Sequence, residues 1–282
     1  MKKSTIVWLI AAASLTLSGA LIFTCVMSDV AWDFSILTTD EHVTSTYEIT
    51  EDFKDISIKL STANITVLPS ADGACRVVCV EKRNVSHTVS VEGETLQITE
   101  NDTRKWYEYI EIGTANSSIT IYLPKPAYNA IMVIGSTCDI SIDGLNLRGL
   151  NFKISTGDVS ISNVTSTGIS YLQNSTGETT ITNTTFGSLV SSAGTGDITL
   201  ENVIAQDKFE ITRSTGDVKF ISCDASEIQV KTGTGDVTGT LKSDKIFTTN
   251  TSTGDVRVPS STTGGKCDIT TATGDVEISI AQ

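Results

Sequence analysis

This sequence predicts an all-β fold, a single-stranded parallel β-helix (β-solenoid) with about 19–20 residues per coil, preceded by one N-terminal transmembrane helix. Three observations carry the prediction. The tetrapeptide Thr-Gly-Asp-Val and close variants recur at nearly constant spacing, and the residues around each copy alternate between apolar and polar. A long uncharged apolar run stands apart from these repeats at the N-terminus.

Lys2 and Lys3 precede an apolar run from Ile6 to Met27 that is long enough to cross a bilayer, so residues 1–28 read as an uncleaved signal anchor with cytoplasmic lysines. The alternatives fit less well. A cleavage site at Ser18-Gly19-Ala20 falls inside the apolar run, and a lipid-modified Cys25 would follow Thr24 where a smaller residue is wanted. In every case the chain after Asp29 is exported, giving a single-pass cell-membrane protein with an extracellular C-terminal domain. Residues 29–50 are expected to be an extracellular linker and 51–282 the solenoid, with irregular capping coils over 51–126 and regular repeats over 127–282.

Within the capping region, Ser61-Thr62-Ala63-Asn64-Ile65-Thr66-Val67 reads as a worn copy of the repeat. Val89 to Ile98, with Glu92-Gly93-Glu94 in the middle, predicts a hairpin, and Ile119 to Leu123 an alternating strand closed by Pro124. Trp106, Tyr107 and Tyr109 form the densest aromatic cluster, a candidate recognition patch or a hydrophobic lid on the first coils.

The repeat glycines are Gly157, Gly177, Gly196, Gly216, Gly235, Gly254 and Gly274, with Cys138 in the place of an eighth. From Cys138 onward they are separated by 19, 20, 19, 20, 19, 19 and 20 residues, which is one coil per unit. After each glycine the chain alternates, as in Val159-Ser160-Ile161 and Val218-Lys219-Phe220, the pattern of a half-buried strand. A second strand places apolar residues near Phe152 and Ile154, Ile169 and Tyr171, Phe209 and Ile211, and Ile228 and Val230. Neither strand buries its face alone, so coils must stack. The glycine is expected at a turn requiring φ > 0, with Asp accepting turn amides and Thr stacking on its equivalents. The chain stops at Ile278-Ser279-Ile280-Ala281-Gln282 directly after a strand, which predicts an open C-terminal edge suited to self-association.

Stacking aligns Asp139, Asp158, Glu178, Asp197, Asp217, Asp236, Asp255 and Asp275 in one file, with like charges about 4.8 Å apart. At that separation each exposed pair repels by a little under ~1 kcal/mol in water, a cost that turn hydrogen bonds offset. The lesser alternative is a Ca²⁺ ladder on Asp158, Asp197, Asp217, Asp236, Asp255 and Asp275, since oxygen-rich rows suit that ion; no other cofactor is expected. A polysaccharide-acting enzyme, the lesser alternative that elongated β-solenoids suggest, would require a local exception to the repeat, whereas these acids are evenly spread. There is no Gly-x-Ser-x-Gly, phosphate-binding loop or dinucleotide fingerprint, so no catalytic residues are assigned and no enzyme is expected. An ice-binding face would want a second Thr file two residues before the first, and that file is mixed, with Ile154, Asn174, Ala193 and Arg213 among its members.

His42 and His87 read as solvated polar side chains. The cysteines Cys75, Cys79, Cys138, Cys223 and Cys267 read as buried thiols. No Cys-x-x-Cys pair or Cys/His cluster stands out, so no structural zinc site is expected. The net charge of −13 repels phosphate backbones and excludes nucleic acid as a partner.

The N-terminal anchor, the imperfect strands ending in Leu123-Pro124 and the serial Ser-Thr-Gly-Asp-Val units together resemble the bacterial putative-adhesin family, a domain of unknown function, over roughly residues 50–282. That resemblance implies a β-solenoid on a bacterial cell surface and brings no catalytic residues with it. The expected function is a non-enzymatic, adhesin-like binding or scaffold protein of the envelope, held to the membrane by its N-terminal helix and contacting a surface glycan or envelope protein. Family members are also associated with envelope-stress membrane systems, which supplies the alternative of an accessory or sensory component.

Overall fold

A computed structural model describes residues 3–29, 42–82, 84–104, 117–124 and 127–281 of the chain. α1 (Lys3–Asp29) is continuous over 27 residues, and its Ser4–Cys25 stretch is long and apolar enough to cross a membrane. Among the described residues, everything after α1 is strand, turn or loop.

The strands in chain order are β1 (His42–Ile49), β2 (Asp55–Thr62), β3 (Asn64–Pro69), β4 (Cys75–Lys82), β5 (Val85–Glu92), β6 (Thr95–Asp102) and β7 (Ser118–Leu123). A regular series of long and short strands follows: β8 (Tyr128–Thr137) and β9 (Ile140–Asp143), β10 (Asn146–Thr156) and β11 (Val159–Ser162), β12 (Thr165–Thr176) and β13 (Thr179–Thr182), β14 (Thr185–Thr195) and β15 (Ile198–Glu201). Then come β16 (Ile204–Thr215), β17 (Val218–Thr234), β18 (Val237–Leu241), β19 (Lys245–Thr253), β20 (Val256–Arg257), β21 (Gly265–Thr273) and β22 (Val276–Ile280).

Each coil is a long strand, a Thr-Gly-Asp corner, a short strand and a second corner. Long strands pair in parallel from β8 through β10, β12, β14 and β16, and short strands from β9 through β11, β13 and β15. β17 supplies the short strand of one coil with Val218–Ile221 and the long strand of the next with Asp224–Thr234. The predicted β-solenoid is therefore present, with its threonines in register: Thr137 pairs Thr156, then Thr176, Thr195, Thr215 and Thr234. The two sheets face each other across Phe152, Ile161, Ile181, Leu189, Leu200, Phe209 and Phe220, all buried.

The inward register of β12 differs from the expectation. Ile169 and Tyr171 point outward, 51% and 48% exposed, while Ser170 and Leu172 face the core. The ladder register shifts between Ser166 and Ile169, where an irregularity absorbs the extra residue of a 20-residue unit; a one-residue slip reverses every face. Inside, Ser170 Oγ accepts from Leu150 N–H and lies 2.9 Å from Ser166 Oγ. The mixed file before the threonines is also internal: Ile154, Asn174, Ala193, Arg213, Thr232 and Thr271 are all buried. Arg213 donates to Thr212 O and Ser191 Oγ, and burial pulls its guanidinium down to about 10 while Asp197 partly opposes this.

The second corner escaped the sequence reading. Gly144, Asn163, Asn183, Asn202 and Ser222 adopt φ of 47–69° there, each six residues after Cys138, Gly157, Gly177, Gly196 or Gly216. Asn tolerates that left-handed conformation better than most residues, and the fixed offset was the available signal.

At both ends the spatial order departs from the chain order. The β2–β3 coil sits between β6–β7 and β8–β9, so the worn repeat at Asn64-Ile65 is a true coil in register with Ile140. The predicted hairpin forms between β5 and β6, Glu92 opposite Thr95. β4 and β1 extend the other sheet in antiparallel fashion, which makes the end a cap rather than a further coil. Residues 42–49, expected within a linker, thus belong to the folded body, because β4 offers its free edge to them.

At the opposite end β21–β22 inserts between the β17–β18 coil and β19–β20. The expectation that the final strand forms the open edge is corrected: β22 pairs β18 on one side and β20 on the other, and β19 carries the outer edge. Composition explains the exchange. Cys267, Ile269, Val276 and Ile278 are buried between coils, whereas β19 turns Thr249 and Thr251 inward and suits an end position.

Each corner glycine from Gly157 to Gly274 has φ between 128° and 150°, and an added Cβ would stand 2.0–2.3 Å from the carbonyl oxygen of the preceding coil's corner. Cys138, with no positive φ, starts the series in a relaxed turn. Gly216→Ala should therefore cost at least ~1–3 kcal/mol of backbone strain, read as a lower urea midpoint. Gly93→Asn, at φ 62° with open space around it, should leave the midpoint unchanged.

Candidate functional site

The Thr-Gly-Asp corner is built by opposing backbone directions. Gly157 N–H donates forward to Thr176 O and Val159 N–H to Glu178 O, but Asp158 N–H points back toward the previous coil. Its acceptor is Asp139 Oδ1 at 3.0 Å. The same bond recurs from Glu178 N–H to Asp158, Asp217 to Asp197, Asp236 to Asp217, Asp275 to Asp236 and Asp255 to Asp275, each 2.8 Å. Asn64 stands at the head of the file and accepts from Asp139 N–H at 3.5 Å. Apart from Glu178 and the terminal Asp255, the acid at each corner thus satisfies an amide that the ladders leave over, a charge-assisted bond that offsets the repulsion along the file.

The corner glycines Gly157, Gly177, Gly196, Gly216, Gly235, Gly274 and Gly254 follow in that spatial order. The candidate Ca²⁺ residues Asp158, Asp197, Asp217, Asp236, Asp255 and Asp275 lie in this same file; the Oδ1 atoms of all but Asp255 accept from a neighbouring coil, and Asp255 pairs through Oδ2 with Arg257. Among the described residues the file does not bring three carboxylate oxygens within metal-sharing distance of one another. The aromatic candidates Trp106, Tyr107 and Tyr109 fall outside the described residues.

The outward face of the long-strand sheet carries an apolar patch that the sequence reading missed, having turned Ile169 and Tyr171 inward. Ile169 and Tyr171 stand beside half-buried Val190 of the next strand, and Asn151 separates Tyr171 from Met132 on β8. Ile134, 41% exposed, extends the patch. Farther along, the same face becomes charged, with Lys208 bonded to Gln229 and paired with Glu210, and Lys266 paired with Asp268.

His87 is not solvated as expected; it is 3% exposed inside the N-terminal cap. Cys79 and Glu81, two apart on β4, point to the same side, and the turn into β5 brings His87 against them. Glu81 Oε1 accepts from His87 N–H and lies 3.1 Å from His87 Nδ1, while Ser45 Oγ donates to Glu81 Oε2 at 2.8 Å. Tyr47 donates its hydroxyl to His87 O, and burial, with Glu81 and Cys79 nearby, raises its phenol.

The body cysteines Cys75, Cys79, Cys138, Cys223 and Cys267 are free and buried, as expected. Burial pushes the Cys75 and Cys138 thiols up to about 11 and those of Cys79 and Cys267 up to about 12.

Parallel coils, Thr-Gly-Asp corners and a flat outward sheet define a β-solenoid protein. The Toastrack DUF4097 family model matches residues 53–183 and again residues 169–282, and the chain belongs to that family. No curated protein matches it. Among solved structures it is similar to a putative adhesin from Bacteroides fragilis NCTC 9343, at 18% identity over 86% of this chain and 98% of that one, with a TM-score of 0.47. A putative adhesin from Parabacteroides distasonis ATCC 8503 aligns at 11% identity over 84% and 97%, TM-score 0.43. A putative lipid binding protein from the same strain aligns at 12% identity over 86% and 98%, TM-score 0.29.

Glu178 is the one acid of the file that gives no bond to the next coil's corner amide, Asp197 N–H, among the described residues. Glu178→Asp should therefore add it and stabilise the domain by roughly 0.5–1.5 kcal/mol in urea denaturation.

The thiols are raised above the ordinary value of 9, so the unfolded chain releases those protons first. Their contribution is complete below about pH 9 and is lost as pH rises through 11–12. A soluble maleimide at pH 8 should modify none of the five in the folded domain and all of them in denaturant.

Proposed function

We propose that this chain is a membrane-tethered, non-enzymatic binding module that holds a stiff solenoid outside the cell and makes contact through the outward face of its long-strand sheet. The observation that carries this reading is the grouping of Ile134, Ile169 and Tyr171, large apolar side chains left in water on neighbouring strands of one face. Aromatic side chains at the centre of such a patch are effective anchors. The charged stretch beyond supplies a polar rim, and the net charge of −13 favours a neutral or basic counterpart, a glycan or an envelope protein.

The helix α1 supplies the tether in this reading, and Lys2 and Lys3 at its start support export of the solenoid. The non-catalytic character is supported by the regularity of the acids: a corner residue repeated for one backbone reason has no differentiated environment to split into acid and base.

Replacing Tyr171 with a photo-crosslinking amino acid in intact cells should give a discrete adduct, whereas the same substitution at Thr215 in the threonine file should give none. Tyr171→Ser combined with Ile169→Ser should weaken retention on cell-envelope material by tenfold or more, on the order expected for an anchor residue. The melting temperature should not change, since both side chains are outside the core. Equal retention by the double variant would refute the contact face.

A further inference from the structure

We infer that Cys79, Glu81 and His87 form a binding site for a single borderline-soft divalent ion, of which zinc is the natural example, inside the N-terminal cap. The Cys79 Sγ, a Glu81 carboxylate oxygen and a His87 ring nitrogen lie within 4.8 Å of one another, and all three residues are buried. Around a tetrahedral ion with bonds of roughly 2.0–2.3 Å, ligand atoms stand some 3.3–3.8 Å apart by simple geometry, so a small rotation of side chains closes the set. The separation of 3.1 Å between Glu81 Oε1 and His87 Nδ1 is already near that value.

The donor types separate this group from an ordinary buried network. A thiol beside an imidazole and a carboxylate selects zinc or cobalt over calcium and magnesium, which take oxygen.

The surroundings complete the frame, with Ser45 on β1 fixing Glu81 Oε2 and Tyr47 holding the backbone of His87. Three protein ligands leave a fourth position for water. Because Cys79 and Glu81 come from β4 and His87 from β5, an ion there ties together strands that extend the two opposite sheets, the place where a solenoid is most apt to fray.

The test uses the full chain in detergent, stripped with chelator and titrated with Co²⁺ and then Zn²⁺. The expected result is uptake of one equivalent of Co²⁺ with a near-ultraviolet thiolate-to-cobalt band that Zn²⁺ displaces. At a hundredfold excess over its Kd, Zn²⁺ should raise Tm by roughly 5–10 °C. Cys79→Ser and His87→Gln should each abolish the band and weaken uptake at least tenfold, while Cys75→Ser, about 13 Å away along β4, should retain both.

Absence of the band together with an unmoved Tm in the unaltered protein, or undiminished binding by Cys79→Ser, would overturn the assignment. Should the variants fail to fold, X-ray absorption on the zinc-loaded unaltered chain decides. One sulfur with at least one imidazole supports the site, and a shell of oxygen alone sinks it. None of these readouts involves the outward contact face, so either conclusion can fail without the other.

Discussion

The approach of one corner to the next governs this molecule. At every Thr-Gly-Asp corner the backbone of one coil comes so close to the carbonyl of its neighbour that no side chain fits, and the φ values lie where only glycine is comfortable. That closeness lets forward-pointing amides reach the next coil and leaves one amide pointing backward, which the Asp of the preceding coil accepts. Gly and Asp therefore answer two halves of the same requirement. Thr, in register along the outside, is the residue this geometry leaves free.

A stack made this way must end somewhere, and each end solves the problem differently. At the C-terminal end the chain passes outward to lay down β19–β20 and then returns, so its last and more apolar coil is covered on both sides. At the N-terminal end the parallel order gives way to antiparallel strands, which use hairpin turns where a coil would need a full circuit. There the apolar interior also changes to a polar cluster around Glu81 and His87.

The corners and the outward face of the long-strand sheet answer to separate requirements. Coils bury only their inner faces, so the outer face of the long-strand sheet can vary while the corners stay fixed. That freedom accounts for a patch around Tyr171 on one stretch and mixed charge around Lys208 and Glu210 on another.

The sequence by itself determined the coil, because the corner motif is local: Gly and Asp are demanded by their own backbone and, through most of the stack, by a neighbour one unit away. It equally determined the apolar helix, whose signal is composition alone. The left-handed corners at Asn163, Asn183 and Asn202 were legible too, at a constant offset of six from the glycines, though the reading overlooked them. Tertiary structure decided what no local pattern encodes. The outward turn of Ile169 and Tyr171 depends on where an irregularity takes up one extra residue, a matter settled by the adjacent strands. The exchange of coils at the C-terminal end depends on comparing the burial of β19 with that of β21, a competition between distant segments. The meeting of Cys79, Glu81 and His87 depends on a turn that folds β5 back beside β4, since spacing along the chain carries no record of which way that turn goes.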